Sequence, residues 1–258
     1  MPIYKELDLP KRYERYVQRI LKIRVDEDQT ATIPAIPTGY VYIGWIPEGR
    51  GTGQANDDRF EVQTGQIHFT GQLTTFDASY SLHGPCTQYL AKCTADGAYL
   101  LLNRDVGALK DIHEAHDAPV EGPPTDETFY KIIDSFLEGA RDPVPEITEA
   151  ARRIEAEDGN LSITDLATEL GMNDRQFRRK FSEIVGVTPK TFAIIRRVLF
   201  TLAEISENPD MDIADVVYRA GFSDQAHLTR TFRQYLRQTP GRLVIDEDNI
   251  LKNIAEGV

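Results

Sequence analysis

The chain has 258 residues, of which 41% are hydrophobic and 27% are charged, and its formal net charge at pH 7 is −12. This length is sufficient for two domains that each bury a core. No apolar run approaches the roughly 20 residues that a membrane helix needs, and the N-terminal sequence lacks the apolar core of a signal peptide. The sequence therefore predicts a cytoplasmic protein without a membrane partner.

Residues 1 to about 120 mostly predict β-strands. The candidates are rich in β-branched and aromatic residues and are separated by breaks that contain Gly and Pro; they are residues 16–25, 40–46, 60–70 and 87–94. The first of these segments would also suit a helix, and short helical material is expected near residues 99–103. Several short strands of this kind predict a small barrel or sandwich.

The strand-rich part offers few residues for chemistry. It has no Gly-rich phosphate loop, no Gly-x-Ser-x-Gly elbow and no Cys–His pairing, so we expect neither enzyme activity nor a cofactor. His113 and His116 have a spacing that could bind a metal from a helix, but a solvated polar segment is the simpler interpretation, and no metal site is expected. Cys86 and Cys93 are predicted to be reduced core residues.

Three aromatic residues of this part, Tyr40, Tyr42 and Trp45, are candidates for lining a small-molecule pocket. The alternative is that they belong to the core, which is the more frequent role of aromatic side chains on strands. Both interpretations stay open on the sequence.

A Pro-rich break at residues 118–125 precedes a predicted helix over residues 126–140. Its apolar residues fall at helical spacing on one face, and they are Phe129, Ile132, Ile133, Phe136 and Leu137. Residues 142–145 read as a linker. We therefore expect one domain over residues 1–141 and a second over residues 146–258.

Two stretches of the second domain carry the same pattern, residues 163–181 and residues 213–232. Each predicts a short amphipathic helix, a glycine turn at Gly171 or Gly221, a polar capping residue at Asn173 or Ser223, and a second helix with an aromatic stripe. These are two helix-turn-helix units. Residues 189–207 predict a helix that connects them, with its buried side formed by Phe192, Ile195, Leu199 and Leu202.

The residues that make up this pattern resemble the DNA-binding domain of AraC/XylS transcription regulators. The likeness covers roughly residues 146–245, and it is carried by Leu166, Ala167, Gly171, Phe177, Phe181, residues 186–189, Phe192, Arg197, Ile213, Gly221, Phe222, Asp224, Leu228, Arg230, Phe232, Thr239 and Pro240. The chain departs from the family pattern at Val217, Arg237, Leu243 and Val244. By domain order, the strand-rich part is similar to the cupin-like sensor domains that precede such DNA-binding domains. The resemblance thus implies an α+β protein with a cupin-like barrel or sandwich followed by an all-α domain.

The first unit has basic residues at the start of its second helix, opposite the aromatic stripe. Arginine can grip a phosphate or both acceptors of a guanine edge, so the DNA-binding candidates here are Arg175, Gln176, Arg178 and Arg179. Thr188 and Lys190 start the connecting helix and are candidates for phosphate contacts. A solvated surface face is the alternative interpretation of these residues.

The second unit leaves a corresponding set of side chains for the groove, with Leu228 and Phe232 on the core face. The candidates are Gln225, His227, Thr229, Arg230 and Arg233. His227 is weighed equally between a DNA contact and a packing or solvent-facing role.

The distribution of charge bears on DNA binding, because neither half of the chain is basic overall. Residues 1–145 hold 14 basic and 22 acidic residues, and residues 146–258 hold 15 basic and 19 acidic residues. Between Arg175 and Arg197, however, seven basic residues stand against one acidic residue, Glu183. A local field of that sign predicts modest DNA affinity with a steep salt dependence.

The sequence therefore predicts a sequence-specific transcription regulator that binds double-stranded DNA. The resemblance implies a homodimer, a small-molecule or protein signal received by the N-terminal domain, and RNA polymerase as a partner if the protein activates. In the family the helix at residues 126–140 often pairs two chains, so its apolar stripe is either a dimer contact or part of its own domain. The alternative function is an interaction protein that binds a partner regulator and carries a vestigial DNA-binding domain.

Overall fold

The computed structural model describes residues 2–35, 37–55, 58–74, 78–119, 122–208, 212–236 and 239. Its N-terminal part, which we call the β region (residues 2–137), contains eight strands in one antiparallel sheet. They are β1 Ile3–Leu7, β2 Val17–Val25, β3 Thr30–Ala35, β4 Tyr42–Ala55, β5 Asp58–Val62, β6 Gln66–Thr70, β7 Ala78–Cys93 and β8 His113–Asp117. The main path runs β1-β2-β7-β4-β6-β8, while β3 pairs with β7 and β5 pairs with β4.

Two long strands, β4 and β7, form the centre of the sheet. Their register runs from Tyr42 opposite Lys92 to Ala55 opposite Ala78, with irregularities between Trp45 and Arg50. The predicted strand over residues 60–70 is in fact two strands, β5 and β6, because the chain turns at Gly65, which has a φ of +86°. β7 also begins earlier than the predicted start at residue 87.

Three strands of the sheet were not predicted. They are β1, β3 and β8. The last of these contains His113 and His116, so a metal site on a helix is excluded at these residues. Among the described residues, no group of three or more His, Cys, Asp or Glu side chains is placed to hold a metal ion.

Helices α1 (Gly97–Leu102) and α2 (Asp126–Leu137) close one face of the sheet. The apolar stripe of α2 is buried there: Phe129, Ile132 and Ile133 are each 0% exposed. The ring of Phe129 stacks on Trp45 and on Tyr89, with centroid distances of 6.4 Å and 5.2 Å. These three residues of the stripe therefore belong to the core of their own chain, while Phe136 and Leu137 are half-buried at its edge. The predicted homodimer stays a prediction.

The C-terminal part, which we call the helical region (residues 145–236), contains six helices over the residues that the structure describes. They are α3 Pro145–Ala156, α4 Ile163–Glu169, α5 Asp174–Val185, α6 Pro189–Glu207, α7 Ile213–Arg219 and α8 Gln225–Leu236. The predicted α+β fold, with a β-rich first part and an all-α second part, is confirmed. No helix in the described ranges is long and apolar enough to span a membrane.

The helical region has two apolar cores, and α6 contributes to both. The first core lies among α3, α4, α5 and the start of α6, around Phe177, Phe181 and Phe192. The second lies among the rest of α6, α7 and α8, around Leu202, Leu228 and Phe232. The helix predicted to connect the two units therefore packs against both of them.

The β region packs directly against the first core of the helical region. Ala95 is part of that core, and Tyr99 packs on it. A polar contact lies beside them: the Arg15 guanidinium bonds both carboxylate oxygens of Asp96, at 2.9 Å and 2.6 Å, and Thr148 of α3 donates to the same carboxylate. The predicted domain division near residues 142–145 stays a prediction, because the two parts share this packing.

Both cysteines are buried and unpaired, as predicted. Burial raises the pKa of the Cys86 thiol to about 11 and that of the Cys93 thiol to about 12. Both thiols are therefore protonated at neutral pH and inert as nucleophiles.

Candidate nucleic-acid interface

The first helix-turn-helix unit consists of α4, a turn and α5. Ser162 caps α4 by accepting from the amide of Asp165, and Asn173 caps α5 by accepting from the amide of Gln176 at 3.0 Å. Between the helices, Gly171 has a φ of +69°, a conformation that favours glycine. The glycine turn and the Asn173 cap are both as predicted.

α5 has one buried face and one exposed face. Phe177, Phe181 and Ile184 lie in the core. The exposed face contains the predicted DNA-binding residues Arg175, Gln176, Arg178 and Arg179.

Two of the exposed arginines of α5 form ion pairs with carboxylates of the same helix. Arg178 pairs with Asp174 at 3.0 Å and Arg179 pairs with Glu183 at 3.5 Å. Exposed pairs of this kind contribute at most about 1 kcal/mol, so phosphate or base acceptors can replace them.

The second unit consists of α7, a turn at Gly221 and α8. Gly221 has a φ of +66°, and a methyl group there would lie 2.2 Å from Oδ1 of Asn160. The predicted cap at Ser223 is wrong. Asp224 holds that role, because its Oδ1 accepts from the amide of His227 at 2.7 Å at the start of α8.

α8 also separates a core face from a solvent face. Leu228 and Phe232 are each 0% exposed, as predicted. Among the predicted DNA-binding residues, Gln225, Arg230 and Arg233 are exposed and Thr229 is half-buried.

His227 was the ambiguous candidate of this helix. Its ring lies edge-on to Phe222 at 5.3 Å, and its Nδ1 is 3.2 Å from the Ser223 hydroxyl. The structure thus favours the packing role of the two that were weighed.

The connecting helix α6 has the predicted bounds, with Pro189 in its first turn. Its 19 residues span roughly 28 Å at 1.5 Å per residue. Lys190 is exposed at its start. The Thr188 hydroxyl accepts from the amide of Thr191 at 3.1 Å, so it serves as the helix cap. A phosphate contact by Lys190 and by the first-turn amides remains a prediction.

Two residues of the basic stretch make their contacts within the protein. Arg196 donates to the hydroxyl of Tyr40 in the β region at 3.1 Å. Arg197 donates to the carbonyl of Gly159 at 2.8 Å, and its guanidinium lies over the Phe222 ring at 5.5 Å. The local basic field predicted from the sequence therefore rests on five residues: Arg175, Arg178, Arg179, Lys180 and Lys190.

The three aromatic candidates for a ligand pocket do not share one environment. Tyr40 lies between the two regions, where its hydroxyl donates to Glu155 at 3.0 Å. Trp45 is 3% exposed and belongs to the core under α2, and Tyr42 is half-buried at the start of β4. A common pocket lined by these three residues stays an untested prediction.

Three polar side chains of the sheet lie close together, and we call them the inner cluster (His68, His113 and Gln88). The sequence did not predict this cluster. The two histidine rings stack at 4.8 Å, and the Gln88 amide bonds Nε2 of His68 at 2.8 Å. Burial lowers the pKa of His113 to about 4 and that of His68 well below its usual range, so both rings are neutral. Nδ1 of His68, Nε2 of His113 and Oε1 of Gln88 have no hydrogen-bond partner within the described structure.

Comparison with known proteins agrees with this geometry. Residues 166–244 match a family described as "Helix-turn-helix domain". Over 80 residues the chain is 34% identical to the HTH-type transcriptional regulator ExsA of Pseudomonas aeruginosa. The alignment covers 31% of this chain and 28% of that protein. Over 80 residues it is 30% identical to the virulence regulon transcriptional activator VirF of Yersinia enterocolitica, covering 31% and 29%. The aligned part thus spans less than a third of the length of either relative.

Among solved structures, ToxT of Vibrio cholerae O395 aligns with 95% of this chain and 100% of its own, at 11% identity and a TM-score of 0.49. A cupin domain of an XRE family regulator from Enterobacter cloacae aligns with 35% of this chain and 94% of its own, at 7% identity and a TM-score of 0.28. Both scores lie below 0.5.

The helical region is a double helix-turn-helix domain, with two capped second helices held by one connecting helix. The helix-turn-helix units predicted from the sequence lie in the part of the chain that matches this family, residues 166–244.

Proposed function

We propose that this protein is a sequence-specific transcription regulator that reads DNA with α5 and α8. The observation that carries the proposal is the pairing of two helix-turn-helix units on one rigid helix, α6, with exposed polar and basic residues on each second helix. Successive major-groove faces lie about 34 Å apart, so one chain could place both units on one side of the duplex. The relatives ExsA and VirF are transcription regulators by name, which supports the same class.

The test is selection from a randomised double-stranded DNA library with the purified full chain. The proposal predicts an enriched site with two short blocks about one helical turn apart. A gel-shift titration at low salt then measures its affinity. Absence of any enriched sequence, with near-zero affinity at low salt, would instead favour the interaction protein with a vestigial DNA-binding domain.

Arg179→Ala is expected to weaken binding to the selected site by roughly 1 to 3 kcal/mol while the fold stays intact. The reason is that the Arg179 side chain is 68% exposed on α5, where its guanidinium can donate hydrogen bonds to a guanine edge or to a phosphate. The control is Arg152→Ala, which removes an equally exposed arginine of α3 that pairs with Glu149. Wild-type affinity of Arg179→Ala in a gel shift contradicts the assignment.

Lys190→Ala is expected to weaken binding to all sequences alike and to reduce the salt slope by about one unit. Lys190 is exposed at the start of α6, and a phosphate contact there releases counterions without reading a base. The slope of log affinity against log salt is measured beside that of Lys11→Ala, an exposed lysine of the β region. An unchanged slope with altered specificity rules out the phosphate contact.

The β region is proposed to receive a small polar molecule as its signal. Support comes from the inner cluster, since buried polar atoms without a partner are uncommon in folded proteins and a bound molecule or water can complete their bonds. Native mass spectrometry of the purified chain would detect such a molecule. Homodimerisation, and RNA polymerase as the partner of an activator, stay predictions from the family resemblance.

A further inference from the structure

Groups from the β region donate hydrogen bonds to the backbone carbonyls at the C-terminal end of α5. The last carbonyls of a helix have no partner within the helix and must find one elsewhere. The carbonyl of Glu183 accepts from the backbone amide of Val106, with an N–O distance of 2.8 Å. The carbonyl of Val185 accepts from Nε2 of Gln72 at 2.9 Å. Both donors come from more than 70 residues earlier in the chain.

Gln72 is held in place on several sides. It is 0% exposed, and its Nε2 also donates to the carbonyl of Gly39 at 2.6 Å. Its backbone carbonyl accepts from the amide of Asp111 at 2.9 Å. At the helix end, Gly186 has a φ of +96°, and a methyl group there would lie 2.8 Å from Cγ of Gln72. A glycine at the end of α5 therefore lets this side chain reach the helix.

The second contact is made by the turn at residues 106–109, which contains the short 3-10 helix Gly107–Leu109. This turn meets α5 backbone to backbone. A methyl group on Gly107 would lie 2.9 Å from the carbonyl oxygen of Ser182. The turn thus lies directly against the last turn of α5, the proposed recognition helix of the first unit, with little room for a larger residue.

Both contacts are made by residues that lie next to the paired strands β6 and β8. Gln72 lies two residues beyond β6, and the turn at residues 106–109 leads into β8. β6 and β8 pair with Thr70 opposite His113, and they also carry the two histidines of the inner cluster. A displacement of these strands would therefore move both groups at the end of α5 together.

We propose that Gln72 and the turn at residues 106–109 are positioning residues for the first recognition helix. They fix the C-terminal end of α5 on the β region, so that the β region determines the angle at which the first unit meets DNA. The second unit is bound differently, because α8 packs on α6 and α7. The DNA-reading consequence rests on the proposed function, whereas the cap itself is a property of the free chain.

The test uses Gln72→Met in the full chain, a change that keeps the side-chain length and removes the donor. The control is Gln66→Met, the same change on β6 at the end away from Gln72. Hydrogen exchange of the free proteins is expected to be at least fivefold faster in the last turn of α5 in Gln72→Met, and unchanged in Gln66→Met. Unchanged exchange in Gln72→Met would overturn the cap.

The second measurement is a hydroxyl-radical footprint on the duplex selected with the wild-type chain. Arg179→Ala marks which block belongs to the first unit. Gln72→Met is expected to lose about tenfold in protection of that block and to keep protection of the other. A uniform loss over both blocks indicates general destabilisation and overturns the positioning role.

Gly107→Ala reaches the same contact from the other side and keeps the proposal testable if Gln72→Met does not fold. Its added methyl pushes the turn away from α5, so the same exchange and the same footprint changes are expected, and wild-type behaviour in both overturns the proposal. If the wild-type chain selects no DNA, the proposed function fails. Hydrogen exchange then decides separately whether the β region caps α5.

Discussion

Replacing Ile133 with Glu is expected to unfold the β region, and not to release a folded monomer. Ile133 is 0% exposed in the core under α2, together with Phe129 and Ile132. A carboxylate there would be buried without a partner, and the apolar contacts of the isoleucine would be lost. Changes that combine these two effects cost about 4 kcal/mol or more, a large part of the stability of an ordinary domain.

The measurement is a urea titration followed by near-UV circular dichroism, with light scattering for the oligomeric state. Lys131→Ala is the control, because Lys131 is exposed on the same helix and makes only a surface pair with Glu127. A folded, monomeric Ile133→Glu protein with a wild-type midpoint would show that the stripe is a dimer contact after all.

Arg15→Ala is expected to lower the free energy of unfolding by about 3 kcal/mol at pH 7, because it leaves a buried carboxylate without its cation. The Asp96 side chain is 4% exposed. Its burial raises the pKa of Asp96, but hydrogen bonds from Arg15 and Thr148 outweigh this effect and hold the pKa below its ordinary value. Chemical unfolding of the full chain measures the loss.

The sign of the pH dependence provides a second check on this contact. With Arg15 present, the carboxylate stabilises the fold above its unfolded pKa, and that stability is lost as the pH falls through the lower folded pKa. In Arg15→Ala, the buried carboxyl keeps the hydrogen bond from Thr148 but loses its cation, so its pKa should be higher than in the wild type and the variant should gain stability on mild acidification. In the double variant Arg15→Ala/Asp96→Asn we expect part of the loss to be recovered at pH 7. A double variant as unstable as Arg15→Ala, with an unchanged pH profile, would contradict this account.

The helical region was predictable because its signals are local. The aromatic residues at i and i+4, such as Phe177 and Phe181, follow the helical period, and Pro189 and Gly186 mark where one helix begins and another ends. These features depend on neighbours within a few residues. The bounds of α6 and the core faces of α5 and α8 could therefore be read from the sequence.

Other features depend on partners distant in sequence, and these were missed. β8 is a polar pentapeptide that becomes a strand because β6 lies beside it. Arg196 and Arg197 look like the other basic residues of their stretch, and only the positions of Tyr40 and Gly159 show that their guanidinium groups are bound within the protein. The cap at Asp224 instead of Ser223 is a one-residue ambiguity between two good capping side chains.

The hydrogen bonds from the β region to the end of α5 affect how the two regions of such proteins can be exchanged in hybrid chains. Hybrids that join the β region of one such protein to the helical region of another at residues 142–145 would separate Gln72 and Gly107 from the end of α5, where Gln72 fits against Gly186 and Gly107 against Ser182. We expect a graft that transfers these residues as a set to keep the donor's binding preference, and one that ignores them to give a poorly ordered first unit. The contacts at the C-terminal end of α5 thus limit which β regions and helical regions can be combined in one chain.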